Sequence, residues 1–268
     1  MDRTRMALDK ARQQRSRGRP VFYVPTMPGT NVNPGPIRYE ETRVVEPDPR
    51  TLRANRVIAA RDGDPVANIY RILRSQILRK LGDGGWSTLA ICSANPGEGK
   101  TLTAVNLAIS LSMDVNHTVL LVDLDLREPG VASTLGIEPT FGLDDYLRGR
   151  VELAKCLVNP GIERLVVLPV REPMDGSSEV LGSPMMARLA HELRVRYPDR
   201  IVIYDMPPVL PTDDCHAFIS NVESTLFVVA EGESRAPDIQ RALLMLKDHN
   251  ILGTILNKSH EQQVIKAG

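Results

Sequence analysis

Residues 93–101, SANPGEGKT, constrain the fold of this chain more than any other stretch of its sequence. They follow an apolar run at 89–91 and precede an amphipathic segment at 102–111. A strand, a Gly-rich loop and a helix in this order form a phosphate-binding loop, in which backbone N–H groups and the helix N-terminus face phosphate oxygens. The sequence therefore predicts a binding site for a nucleoside triphosphate.

Each residue type in this loop suits a particular contact with a nucleotide. Gly97 and Gly99 allow the backbone to curl around phosphate oxygens, because glycine adopts positive φ without strain. Lys100 supplies a charge to the β- and γ-phosphates, from a position expected to be exposed in a cleft, and the Thr101 hydroxyl is a ligand for Mg²⁺. The residues predicted to bind the nucleotide at this loop are Asn95, Pro96, Gly97, Glu98, Gly99, Lys100, Thr101 and Leu102.

The composition limits the classes of protein to which the chain can belong. It has 268 residues, of which 42% are hydrophobic and 25% charged, and its formal net charge is zero. These values indicate a globular protein, and the charge balance argues against nucleic acid as a partner. No apolar run reaches the roughly 18 residues of a membrane span, and Cys92, Cys156 and Cys215 lack metal-site spacing. We expect a cytoplasmic protein with reduced core thiols.

The first 56 residues differ in composition from the rest of the chain. A segment rich in Arg, Lys and Gln comes first, and prolines recur from Pro20 to Pro49 at a spacing that favours an extended linker. We therefore predict a largely disordered arm at 1–56 and a folded domain at 57–268. The arm is either a docking segment for anionic lipid or a partner, or a solvated tether.

Strand and helix patterns alternate from residue 57 onward. This alternation predicts an α/β fold, a P-loop NTPase with a mostly parallel central sheet and helices on both faces. Strands are predicted at 86–93, 118–122, 164–169, 201–204, 225–230 and 252–256, and helices at 65–81, 102–111, 142–147, 183–196 and 236–246.

Acidic residues follow two of the predicted strands, where an open parallel sheet binds its ligands. Asp205 ends a buried apolar strand and is the expected Walker B carboxylate of the Mg²⁺ shell. Asp123 and Asp125 are two residues apart, so they point the same way while the chain stays extended. We predict Thr101, Asp123 and Asp205 as metal ligands, and Lys100, Asp123 and Asp125 as catalytic residues.

Three motifs together resemble those of a known family. ANPGEGKT at 94–101, LLVDLDLREP at 120–129 and IVIYDMPP at 201–208 are similar to the Walker A, A′ and B motifs of the bacterial tyrosine kinases. These are cytoplasmic kinase modules that work with membrane polysaccharide co-polymerases in capsule and exopolysaccharide synthesis. The resemblance covers about residues 58–258, and the segment MALDKARQQR resembles the N-termini of exosortase-linked members.

The resemblance implies a function, cofactors and partners. It implies ATP and Mg²⁺, a co-polymerase partner at the inner face of the membrane, and transfer of a phosphoryl group to tyrosine. It also implies that Asn257 contacts the nucleotide base, and Asp214 stands where the family has an Asp after its Pro-Pro. Partition and division-site ATPases, which dimerise around ATP, have a second lysine at the position of Asn95, so that mechanism is not expected here.

The chain departs from the family at two places. Its oligomerisation motif Glu-x-x-Arg-x-x-Arg is present as Asn68, Arg71 and Arg74, which predicts at most a weak homo-oligomer through this helix. The C-terminal tyrosine cluster is missing, because the last tyrosine is Tyr204. Two hypotheses follow: a tyrosine kinase, or an ATP-dependent switch of a membrane co-polymerase that transfers no phosphate to tyrosine. If the chain is a kinase, the flexible arm offers Tyr23 and Tyr39 as acceptors.

Overall fold

The chain forms one sheet in the computed structural model, which describes residues 42–59 and 64–259. The strand order is β1-β4-β5-β3-β6-β2-β7-β8, and every neighbouring pair is parallel except β4 and β5. The strands in this described part are β1 (Arg43–Val44), β2 (Thr88–Ser93), β3 (Thr118–Asp123), β4 (Val158–Asn159), β5 (Leu165–Leu168), β6 (Arg200–Asp205), β7 (Ser224–Ala230) and β8 (Ile251–Asn257).

Ten helices are present in the same described ranges. Most of them connect one parallel strand to the next, as crossovers between parallel strands require. They are α1 (Pro49–Ala54), α2 (Pro65–Gly84), α3 (Lys100–Ser112), α4 (Val131–Leu135), α5 (Leu143–Leu147), α6 (Leu153–Cys156), α7 (Ser177–Leu181), α8 (Pro184–Val195), α9 (Asp214–Ile219) and α10 (Ala236–Met245).

The helices cover both faces of the sheet and create two hydrophobic layers. Side chains of β2 alternate between them: Leu89 and Ile91 pack with α1 to α4, whereas Ala90 and Cys92 pack with α5 to α10. All six residues of β2 are buried, which explains why its sequence is a continuous apolar run instead of an alternating one. The predicted fold class is confirmed.

The central strands end together at one edge of the sheet. Asp123 at the end of β3 lies in register with Asp205 at the end of β6, and Ile91 of β2 is the other neighbour of Asp205. Since β2 leads directly into the Gly-rich loop, the loop and both acids meet at the carboxyl ends of three adjacent strands.

Residues 42–59 form a segment that we call the N-terminal strap. Its strand β1 pairs with β4 at the margin of the sheet, and the Val45 N–H donates to the Asn159 carbonyl at 2.8 Å. Helix α1 follows, and Leu52 on this helix packs against the core.

Two side-chain amides hold the strap against the helices of the domain. Asn55 Nδ2 donates to two carbonyl groups of α4 at 2.9 and 3.0 Å. In α3, the buried Asn106 accepts the N–H groups of Ile58 and Ala59 at 2.8 and 3.0 Å, and its Nδ2 donates to the Arg56 carbonyl at 3.2 Å. The strap is therefore attached to the helix that follows the Gly-rich loop.

The structure differs here from the sequence prediction, which places residues 42–56 in the arm. The prolines suggested an extended linker, but Pro49 lies in the first turn of α1, where a missing N–H costs nothing. Strand β1 has only two residues, too few to show a period in the sequence. The remainder of the predicted arm, residues 1–41, lies outside the described residues.

The three cysteines are buried, as predicted for core thiols. Cys92 in β2 and Cys215 in α9 are neighbours, with their sulfur atoms 4.0 Å apart. None of the helices in the described residues is both long enough and apolar enough to span a bilayer.

Candidate nucleotide and phosphoryl-transfer site

The Gly-rich loop connects β2 to α3 with two residues in the left-handed region. Gly97 has φ of +79° and Gly99 has φ of +92°, so both positions favour glycine. At Gly99 the space is also closed, because a Cβ atom there would lie 2.0 Å from Asn257 Nδ2. Helix α3 begins immediately afterwards at Lys100, so its unpaired N–H groups face the concave side of the loop.

Glu98 stabilises the loop from inside. Its carboxylate accepts the Asn95 backbone N–H at 3.0 Å and the hydroxyl of Ser234, which lies after β7. The Asn257 side chain donates to the Glu98 carbonyl at 3.0 Å. Glu98 is 3% exposed, so these bonds fix the loop before any ligand arrives. The contact of Asn257 with a nucleotide base stays a prediction.

Lys100 lies between the Gly-rich loop and residues 124–129, which we call the A′ loop. Its Nζ is 2.8 Å from Asp125 Oδ2, and the two side chains are 11% and 6% exposed. Burial alone would lower the pKa of Lys100, but the charges of Asp205 and Asp125 outweigh it and raise that pKa. The expectation that Lys100 stands exposed in a cleft is therefore wrong, because the lysine forms a buried ion pair.

Asp205 is the most unusual carboxylate of the site. It is fully buried, and neither oxygen has a hydrogen-bond partner among the described residues. Burial raises its pKa to about 6, although the Lys100 charge and the nearby Thr101 hydroxyl oppose this rise. A buried carboxylate without a partner is costly unless another group compensates its charge.

These residues fit Mg²⁺ by the chemistry of their donors. Asp205 and Asp123 end adjacent strands in register, and the Thr101 hydroxyl faces Asp205. Hard oxygen donors of this kind suit Mg²⁺, which keeps several waters and binds through one or two carboxylates together with phosphate oxygens. The described residues contain no group of three or more His, Cys, Asp or Glu side chains able to hold a metal ion by themselves. A site completed by phosphate and water agrees with that finding.

Asp123 has a different environment from its neighbour Asp125. Its Oδ1 accepts the Asp125 N–H at 3.2 Å, and its Oδ2 accepts the N–H groups of Gly130 and Val131 at 3.0 Å each. Burial and the nearby Asp205 nevertheless raise its pKa well above the usual range. Strand β3 ends at Asp123, so the extended run expected through Asp125 is absent and the two acids have different partners.

Sequence reasoning missed a cluster beside the A′ loop. Arg127 donates from Nε to Asp214 Oδ2 at 2.8 Å and from Nη2 to Oδ1 at 3.2 Å, and Ser177 Oγ donates to Oδ2 at 2.7 Å. The resemblance marked Asp214 without giving it a role. We call these three residues the Asp214 cluster.

The structure brings the predicted site residues of the Gly-rich loop together with Asp123, Asp125, Asp205 and Asn257. The basic pair of α2 lies elsewhere and has partners of its own. Arg74 donates to the Ser110 carbonyl at 2.9 Å, and Arg71 donates to Asn68 Oδ1 at 2.8 Å. At least Arg74 therefore has a role within the domain itself.

Comparison with known proteins gives consistent matches. The family model for the CobQ/CobB/MinD/ParA nucleotide binding domain matches residues 89–267. Tyrosine-protein kinase YwqD of Bacillus subtilis (strain 168) is 31% identical over 191 residues, covering 70% of this chain and 79% of that protein. Succinoglycan biosynthesis transport protein ExoP of Rhizobium meliloti (strain 1021) is 29% identical over 219 residues, but the match covers only 28% of that protein. The solved kinase domain of the Escherichia coli tyrosine kinase ETK has a TM-score of 0.67 and 26% identity, covering 76% of this chain and 80% of that one.

A loop of this geometry at the carboxyl edge of a parallel sheet defines the P-loop nucleotide-binding class. The chain belongs to the CobQ/CobB/MinD/ParA nucleotide-binding family and, within it, to the bacterial tyrosine kinases. The family predicted from the three motifs is confirmed.

Proposed function

We propose that this chain is an ATP-dependent protein-tyrosine kinase of capsule or exopolysaccharide synthesis, which phosphorylates tyrosine on itself or on a partner. One observation carries the proposal: Asp123 and Asp205, at the ends of two adjacent strands, lie beside the P-loop, and Asp125 forms an ion pair with the P-loop lysine. The names of the kinases matched above support this activity.

Each residue of the site has a part in the proposed reaction. The N–H groups of residues 97–101 hold the phosphates, and Lys100 stabilises charge on the transferring γ-phosphoryl group. Thr101 and Asp205 would hold Mg²⁺ with Asp123 beside them, and the ion supplies charge neutralisation on the phosphates. Asp123 and Asp125 assist the incoming phenol as it loses its proton. Positioning and electrostatics suffice, so no covalent nucleophile is required.

The second candidate is a nucleotide-dependent switch that hydrolyses ATP without phosphorylating tyrosine. One observation favours it: no tyrosine follows Tyr204, which lies in β6 with 1% of its surface exposed. Residues 205–268 therefore offer no acceptor tyrosine.

The deciding experiment separates phosphoryl transfer from hydrolysis. Purified protein is incubated with γ-labelled ATP and Mg²⁺, and protein-bound label is separated from free phosphate. Label on tyrosine supports the kinase, whereas free phosphate without labelled tyrosine supports the switch, and neither product would contradict both. The test variant is Lys100→Met, and its matched control is Lys247→Met, which removes an exposed lysine.

Lys100→Met should lower both transfer and hydrolysis by at least about 100-fold, because it removes charge stabilisation of the transferring group. It also leaves the buried Asp125 unpaired, which costs on the order of 3–5 kcal/mol of stability. Urea unfolding must therefore show that the variant is folded at the assay temperature. Wild-type rates from a folded variant would contradict the site.

The metal role of Asp205 is tested by nucleotide binding. We expect Asp205→Asn to weaken ADP binding in the presence of Mg²⁺ much more than in its absence, because the carboxylate acts through the metal. Calorimetric titration with and without Mg²⁺ measures both affinities. Equal losses under the two conditions would mean that Asp205 has only a structural role.

The acceptor tyrosine is a separate part of the proposal. Tyr70, Tyr146 and Tyr204 lie in α2, α5 and β6, where the backbone is held by packing. Tyr197 is 43% exposed and lies in the short connection between α8 and β6, with the Arg200 guanidinium 3.9 Å from its ring. Tyr23 and Tyr39 lie outside the described residues, and we propose one of them, or a partner protein, as acceptor. Mass spectrometry of protein incubated with ATP locates the phosphate, and phosphate confined to Tyr70, Tyr146 or Tyr197 would contradict this choice.

We also propose a membrane polysaccharide co-polymerase as partner, so that the chain acts at the inner face of the membrane. Support comes from the match to the transport protein ExoP, in which the aligned region is a small part of a longer protein. Co-purification with a co-polymerase encoded near this chain would test the association. Failure to co-purify in the presence of ATP and Mg²⁺ would count against it.

A further inference from the structure

Asp214 lies on a part of the molecule that is fixed to the P-loop strand. The segment between β6 and α9 continues along β2, with the N–H groups of Met206, Val209 and Leu210 donating to its carbonyls and to that of Ala94 at 2.9–3.1 Å. Helix α9 then packs on the same strand through Cys215. Asp214 therefore follows a segment that is hydrogen-bonded to β2 as far as the start of the Gly-rich loop.

The A′ loop, by contrast, makes few polar bonds to other elements beyond residue 125. At its start, the Leu124 N–H donates to the Asp205 carbonyl at 2.9 Å. Further along, the Leu126 carbonyl accepts the Met174 N–H at 2.8 Å, and Arg127 makes the paired bonds to Asp214. Among the described residues, Arg127 thus provides the polar side-chain anchor of the half of the loop that follows Asp125, beside the buried apolar side chain of Leu126.

The chemistry of this anchor requires both partners. The Asp214 side chain is fully buried, whereas that of Arg127 is 47% exposed. A buried carboxylate is destabilising unless it is paired, and the planar guanidinium fork matches it in two bonds, which fix orientation as well as distance. Lysine could supply the charge but not the second bond.

We propose that Asp214 is a positioning residue for phosphoryl transfer. It acts through Arg127 to hold the A′ loop, and with it the Asp125 carboxylate, in place beside the P-loop. The proposal rests on the proposed function and assigns Asp214 no contact with substrate. Because a misplacement of about 1 Å at a reacting group costs up to about 100-fold in rate, losing this anchor should slow the chemical step. Nucleotide affinity depends on the P-loop itself and should change little.

The chain offers a closely matched control in Asp145. Its side chain is 3% exposed, and it accepts two bonds from Arg171, at 3.1 and 3.3 Å, and one from Arg150. Asp145 lies in α5 and makes no bond to residues 124–129, although its partner Arg171 lies three residues before Met174. Asp214→Asn and Asp145→Asn therefore remove the same kind of buried ion pair, and only the first removes a bond made by the loop itself.

Three measurements on the full chain test the proposal. Steady-state assays give the rate of ATP turnover, calorimetric titration gives the dissociation constant for ADP·Mg²⁺, and hydrogen exchange gives the protection of residues 124–131. For Asp214→Asn we expect a rate lower by about 10- to 100-fold, affinity within about twofold, and faster exchange in the loop. Asp145→Asn should lose stability without these changes. Arg127→Lys provides a milder variant if Asp214→Asn does not fold, and it should show the same pattern with a smaller loss.

The outcomes are distinguishable. Equal effects of the two Asp variants, or unchanged exchange and turnover in Asp214→Asn and Arg127→Lys, would overturn the positioning role. A parallel loss of ADP·Mg²⁺ affinity would make Asp214 part of the nucleotide site instead. If the wild-type protein neither transfers nor hydrolyses phosphate, the proposed function fails, and the exchange comparison alone decides whether Asp214 holds the loop.

Discussion

At the scale of single residues, Asp205 shows a conflict between stability and function. Its carboxyl is fully buried without a hydrogen-bond partner among the described residues, and its pKa is raised to about 6. A carboxyl that is harder to ionise in the folded state than in the unfolded chain weakens folding at neutral pH. The negative charge needed for a metal is thus present at a cost to the fold.

This conflict predicts a pH dependence of stability. The folded state holds the Asp205 proton more tightly than the unfolded chain does. The protonated carboxyl therefore favours the folded state below pH 3.8, and this stabilisation is lost as the pH rises to about 6. At pH 8 with EDTA, Asp205→Asn should be more stable than wild type by up to about 3 kcal/mol, and this advantage should shrink toward pH 4. Urea unfolding from pH 4 to 8 measures the difference.

Asp145→Asn is the control for this series. Although burial alone would raise the pKa of Asp145, the bonds from Arg171 and other groups lower it, so the Asn variant should be less stable than wild type at neutral pH. If the unfolding free energies of Asp205→Asn and wild type change in parallel from pH 4 to 8, Asp205 has an ordinary pKa in the folded state and the prediction is wrong.

The two glycines of the loop give a second prediction at this scale. Both have positive φ, but only at Gly99 does a Cβ meet another atom, Asn257 Nδ2. Gly99→Ala should therefore weaken ADP binding more than Gly97→Ala, in which only backbone strain of about 1–2 kcal/mol is expected. Calorimetry measures both affinities. Because Asn257 is itself a predicted base contact, the comparison is made within the Asn257→Gly background, where Gly99→Ala should cost less ADP affinity than it does in the wild-type protein. An equal cost in the two backgrounds would assign the loss to backbone strain alone.

At the scale of elements, the long helices and central strands could be predicted because their sequences have clear periods and caps. Helix α2 begins after Asp64, whose carboxylate accepts the Val66 N–H, and ends at Gly84, with Gly85 as its C-cap at φ of +65°. The elements not predicted are short: β4 has two residues and α7 has five. Such segments take their conformation from neighbours distant in the chain, which the local sequence does not reveal.

The same limit applies to the candidate site. The Gly-rich loop and the strand-end acids could be predicted, because each motif is local. Ser234 bonds Glu98 across 136 residues and Asp214 bonds Arg127 across 87, so neither pair could be recognised without the fold. The burial of Lys100 was missed for a similar reason, since Asp125 covers it from another strand end.

Attachment of the strap to α3 is a prediction at the scale of elements. Asn106→Ala removes the acceptor of two strap N–H groups, one of them buried, and should destabilise the protein by about 2–4 kcal/mol. Asn55→Ala, which removes a less buried amide of the same strap, should cost about 1 kcal/mol or less. Urea unfolding measures both, and similar losses would contradict the ranking.

At the scale of the whole molecule, the sequence of α2 predicts weak self-association. Asn68 supplies no negative charge, and it accepts a bond from Arg71 within its own helix, while Arg74 donates to the Ser110 carbonyl. Light scattering should show a monomer or a labile assembly, and Asn68→Glu should associate more strongly, because opposite charges across a contact favour it. Ser75→Glu adds the same charge elsewhere on the helix as a control. A stable ring formed by the wild-type protein would contradict this prediction.

The N-terminal strap also determines how tension on the chain ahead of residue 42 reaches the protein. The first structure to bear such a load is β1, which has two residues and pairs at the margin of the sheet. The hydrogen bonds from Asn55 to α4 come next. The opposite end of α4 is held by Asp123, through the N–H groups of Gly130 and Val131. One short helix of five residues therefore separates the strap from an acid of the site. We expect a pull on the strap to displace the A′ loop before the central strands separate.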